Sequence, residues 1–100
     1  MVAIFLVSFE LRTLGKDYKG LFGYIQKFAH CHGHASCWLI ESRSTAARIR
    51  DGAMKHIDGS DDIFVARLSM DWAGVRKSCG DWLNSPTRNW HISADSRASC

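Results

Sequence analysis

One hundred residues make room for a single domain, and 46% hydrophobic with 23% charged residues and one proline exclude a disordered or low-complexity chain. Thirteen Lys and Arg against ten Asp and Glu leave a formal charge of +3, which permits a nucleic-acid partner without demanding one. The four cysteines, Cys31, Cys37, Cys79 and Cys100, form no C-x-x-C pair and are too unevenly spaced for a secreted disulfide framework, so reduced thiols in a cytoplasmic protein are expected.

Residues 2–9 are a continuous apolar run rich in β-branched and aromatic side chains, the pattern of a central strand buried on both faces. The run ends at Phe9 without a small-residue cleavage site and is too short to span a membrane. Asp17 is positioned to cap a helix whose apolar positions Leu21, Phe22, Ile25, Phe28 and Ala29 follow the 3.6-residue period, with Gly20 and Gly23 each weakening it by roughly 1 kcal/mol. A histidine-rich arm at 30–34 and a strand at 36–41 read as a hairpin. Ser44 or Thr45 caps a second helix with Ala46, Ala47, Ile49, Ala53, Met54 and Ile57 as its buried stripe. A turn at 58–61 leads into a strand at 63–68. Trp72, Val75, Cys79, Trp82 and Leu83 then recur at helix-like spacing until Pro86, and residues 87–92 read as one further short strand.

This order, strand, helix, strand, strand, helix, strand, predicts an α+β fold of the ferredoxin-like plait type (βαββαβ) with an additional C-terminal helix. The expected organisation is one domain over residues 1–92 and a flexible tail over 93–100. Right-handed crossovers put both helices on one face of the sheet, so the other face needs a cover. Either a second copy of the chain or the segment from Asp71 onward, with Trp72, Trp82 and Trp90, is expected to provide it. A domain this small hides only about two-thirds of its unfolded surface and often gains from pairing, so dimerisation is an open expectation.

Three segments carry a resemblance: residues 4–12 (IFLVSFELR), 36–40 (SCWLI) and 61–65 (DDIFV). Over roughly the first 85 residues the chain resembles the small SinR-like proteins, which are similar in turn to the small CRISPR adaptation subunit and to virulence-associated D-type ribonucleases. The resemblance implies a homodimeric plait that engages nucleic acid. It also implies a metal-dependent endonuclease, acting on RNA or DNA, in which an acidic residue at the end of the first strand meets its symmetry mate and holds Mg²⁺ or Mn²⁺. The matching residue is Glu10, where the family pattern usually has Asp, so its carboxylate stands one methylene further out.

The residues themselves suggest further sites. Glu10 at a strand end is either a metal carboxylate or a solvated group paired with Arg12, while Asp17, Asp61 and Asp62 suit capping and turn formation. Arg43, Arg48, Arg50 and Lys55 along the second helix, with Arg12 and Arg67, make a candidate phosphate-tracking surface or simply a solvated face. If 30–34 is an unbroken strand, His30, His32 and His34 face one side and, with Cys37 as a fourth donor, offer a zinc site, zinc being a lesser candidate than Mg²⁺ or Mn²⁺. A bulge at Gly33 breaks that alignment, leaving a solvated or stacking hairpin arm or a histidine that carries a proton beside a phosphate. Outside the nuclease class, the alternative is a non-catalytic interaction module that modulates a larger protein complex through its sheet edge or Trp-rich C-terminal region.

Overall fold

The computed structural model describes residues 2–13, 17–34, 36–73 and 79–85. Its elements are β1 (Ala3–Glu10), α1 (Lys19–Gln26), β2 (Ala29–His34), β3 (Cys37–Ser42), α2 (Ala46–Met54), β4 (Asp62–Arg67) and α3 (Cys79–Leu83). The strands form one antiparallel sheet in the order β2-β3-β1-β4, an α+β architecture. The expected strand at 87–92, the tail at 93–100, and Val75, Trp90 and Cys100 lie outside the described residues. No helix among the described residues is long and apolar enough to cross a membrane.

Period-two alternation divides β1 between two cores. Ala3, Phe5, Val7 and Phe9 pack with Trp38 and Ile40 of β3 against Leu21 and Ile25 of α1 and Ile49 and Ala53 of α2, so both of these helices lie on one face. Ile4 points the other way and packs on Leu83 of α3, with Leu39, Leu68, Met70, Trp72 and Trp82 around it. The segment from Asp71 onward therefore covers part of the second face, as its tryptophans suggested. Strand β1 is covered on its second face as well, fully at Ile4 and partly at Leu6 and Ser8, which is why its sequence does not alternate cleanly between polar and apolar.

Two helix boundaries are earlier than the apolar period implies. Phe28 lies beyond α1 and Ala29 opens β2, because Lys27 and Phe28 donate to the carbonyls of Tyr24 and Ile25 in a tightened i to i+3 closing turn. Ile57 lies beyond α2 in the same way. At the N-termini, Thr45 caps α2 by accepting the Arg48 N–H at 3.2 Å. Asp17 binds the Lys19 N–H at 2.8 Å, but Tyr18 occupies the α1 cap position and its side chain makes no capping bond. Helices α1 and α2 approach so closely that a Cβ on Gly52 would sit 2.5 Å from Tyr24 Cζ, so the contact requires glycine there.

The expectation of reduced thiols is overturned for two of the four cysteines: Cys31 and Cys79 form a disulfide across a sequence separation of 48, with their Cα atoms 5.9 Å apart. Cys31 is in register with Leu39, which belongs to the second-face cluster, so the thiol of β2 faces the side on which α3 docks. Such a long-range juxtaposition leaves no trace in local cysteine spacing.

Candidate functional site

The ends of β1 and β4 bring two carboxylates together, because Glu10 pairs in register with Asp62. Directly opposed like charges are unfavourable on a sheet, and here Arg12 compensates both. Its guanidinium pairs with Glu10, reaches Asp62 Oδ2 at 2.8 Å and donates to the Ser60 carbonyl at 3.0 Å. The hydrogen bond that Arg12 donates to Asp62, and then the charges of Asp62 and Glu10, hold the Arg12 pKa above its ordinary value. All three side chains are largely exposed, so this is a solvent-screened network.

Behind it lies Asp61, the buried polar residue among those described. Its carboxylate accepts the Arg12 N–H at 2.7 Å, the Asp58 N–H at 2.8 Å and the Tyr18 hydroxyl at 2.9 Å. The Tyr18 oxygen in turn accepts the Thr13 N–H at 3.3 Å. Asp61 thus ties the turn before β4 to the chain leaving β1 and to the start of α1. The turn-forming role read from sequence holds, and the buried hub it builds was not visible there.

An open groove of about 1120 Å³ runs past this corner, and its lining includes Glu10, Asp61 and Asp62 together with Arg50 and Met54 of α2 and Phe64 of β4. Arg50 and Met54 are one helical turn apart and so share a face. Arg50 is held in place by two hydrogen bonds to Asp51 Oδ1, from Nε at 3.0 Å and from a terminal nitrogen at 2.8 Å. Among the described residues, Phe64 and Met54 are the exposed large apolar side chains, with fractional exposures of 63% and 53%.

The structure therefore sorts the predicted site residues. Glu10 and Arg12 form an ion pair, and Arg50 shares the groove with Glu10. Arg43, Arg48 and Lys55 are exposed but do not line that groove, while the Arg67 guanidinium lies 5.7 Å from the centre of the Phe5 ring. His30 and His32 gather around Trp38 on the helix-bearing face of β2. The His32 ring stacks on the indole at 3.9 Å and 7°, and the His30 ring lies 5.5 Å from it. His30 Nδ1 is 2.9 Å from the Phe28 carbonyl. The register shifts between His32 and His34, a bulge or irregularity in β2 at the place where the sequence allows a bulge at Gly33. The side chain of His34 lies outside the described residues, and no group of three metal-donor side chains occurs among those described.

Two features escaped the sequence: the Tyr18–Asp61 bond, between residues 43 apart in the chain, and the Cys31–Cys79 bond. The chain matches no family model, no curated protein and no solved structure in comparisons with known proteins.

Proposed function

We propose that this chain is a cytoplasmic, homodimeric ferredoxin-like plait, similar to the SinR-like proteins and the small CRISPR adaptation subunit, that binds nucleic acid and cleaves it at a divalent-metal site on Glu10. The βαββαβ order with strand order β2-β3-β1-β4 supports the plait reading. The observation that carries the function is the groove lined by both the candidate acid Glu10 and the candidate phosphate ligand Arg50. A carboxylate and a guanidinium along one trough are the two kinds of group that a phosphodiester-cleaving site requires.

Glu10 and Asp62 offer hard oxygen donors, which suit Mg²⁺ or Mn²⁺ better than zinc. A bound divalent ion would polarise the phosphoryl oxygen and lower the pKa of an attacking water. Arg12 now neutralises both carboxylates, so it has to swing away for them to serve as ligands, and its freed guanidinium then becomes a phosphate contact. Arg50 positions the backbone, and the buried Asp61 hub keeps the Glu10–Asp62 corner in register. In the homodimer, the second copy brings its own Glu10 to the cleft.

The test is incubation of the full chain with labelled RNA and DNA in the presence of Mg²⁺ or Mn²⁺. Metal-dependent cleavage that Glu10→Ala abolishes supports the proposal, and cleavage that survives this substitution removes Glu10 from the mechanism. A second reading, the non-catalytic interaction module, is favoured by Arg12 capping both acids and by exposed Phe64 and Met54 on the same groove. Recovery of a stoichiometric protein partner without nucleic acid distinguishes it.

A further inference from the structure

The two apolar clusters lie on opposite faces of the sheet, and the disulfide fastens only the second. The larger cluster joins β1 and β3 to α1 and α2 without either bonded cysteine. The smaller one depends on α3, a helix of five residues, whose Leu83 is buried against Ile4. A helix this short does not hold itself together in water, so its docking rests on Leu83, Trp82 and the bond from Cys79 to the edge strand β2. Cys79 is buried whereas Cys31, on the edge strand β2, is only partly so, which makes Cys31 the more accessible residue of the pair.

We propose that the Cys31–Cys79 disulfide is a redox-operated latch, opened by a dithiol reductant to free α3 and bare the apolar sheet face around Ile4 and Leu39. In the opening step a thiolate of the reductant bonds to the Cys31 sulfur, the bond between the two cysteines breaks, and Cys79 leaves as a thiolate that takes up a proton. The reductant's second thiol then displaces Cys31 as a thiol and becomes the cyclic disulfide. Two electrons pass from the dithiol to the protein, and a small disulfide oxidant such as oxidised glutathione reverses the exchange. Because α3 carries both Cys79 and Leu83 and packs on the face opposite α1 and α2, opening the latch changes one face and leaves the α1–α2 side folded.

Amide hydrogen exchange on the full chain, before and after reduction with dithiothreitol, tests this. The expected result is at least about a tenfold loss of protection over residues 79–85, with β1 and α2 changing by less than about twofold, and recovery on reoxidation. Cys79→Ser is expected to show the loosened 79–85 segment without reductant. Should that variant fail to fold, the reduced wild-type chain reads the same quantity. Unchanged protection over 79–85 in the reduced protein overturns the latch. So does loss of protection throughout β1, α1 and α2, which would make the bond a staple of the whole fold, and so does a native bond that resists excess dithiothreitol.

Discussion

Asp61 shows how one side chain organises a corner of the molecule. A buried carboxylate is costly unless it is fully hydrogen-bonded, and here two backbone N–H groups and the Tyr18 hydroxyl meet it. Asp61→Ala is therefore expected to strand these donors and destabilise the fold by about 2–4 kcal/mol in urea denaturation. Tyr18→Phe removes one donor and is expected to cost about 1 kcal/mol. Tyr24 presents the opposite case: burial pushes its phenol above the ordinary value of 10.0. The neutral form is the one the fold favours, so this contribution is intact below the unfolded-state pKa and is lost as pH rises from about 10 through the folded value. Tyr24→Phe is expected to flatten the alkaline fall in stability, measured by denaturation at a series of pH values. Trp38 Nε1 is the buried side-chain polar atom without a hydrogen-bond partner among the described residues, an indole held by rings rather than by polar contacts.

At the scale of elements, the α1–α2 contact depends on a missing side chain. Alanine in place of glycine normally favours a helix by about 1 kcal/mol, but at Gly52 the new methyl meets a Tyr24 ring fixed by Phe28, by His56 and by its hydroxyl bond to the Ile49 carbonyl. The clash is expected to win, with Gly52→Ala losing about 1–3 kcal/mol in thermal unfolding. In a Tyr24→Ala background the same substitution is expected to be neutral or stabilising. Much of this level is legible from sequence. The unbroken apolar run of β1 announces a strand with two covered faces, and Thr45 announces the start of α2. The end of α1 is not legible, since Phe28 continues the apolar period while the chain is already turning into β2. Nor is the slip between His32 and His34, since a glycine in a strand permits a bulge without specifying one.

At the scale of the whole molecule, the candidate site is a meeting of elements far apart in sequence. That Glu10 and Arg12 pair is readable from their spacing. That Arg50, and not Arg48 or Arg43, shares the groove with Glu10 is set by how Ile49 and Ala53 seat α2 on the sheet, and by the run of the chain through Ile57 and Asp58 back to β4. The disulfide adds a second tie of this kind, joining β2 to α3 on the face opposite α1 and α2. The groove between Glu10 and Arg50 is proposed to engage nucleic acid. Its most direct test is a salt titration of labelled RNA and DNA binding by the full chain, comparing wild type with Arg50→Ala. The expected result is binding at low salt that weakens as salt rises, with a slope reduced by about one phosphate contact in the variant. Absence of binding at low salt, or an Arg50→Ala protein indistinguishable from wild type, would contradict it.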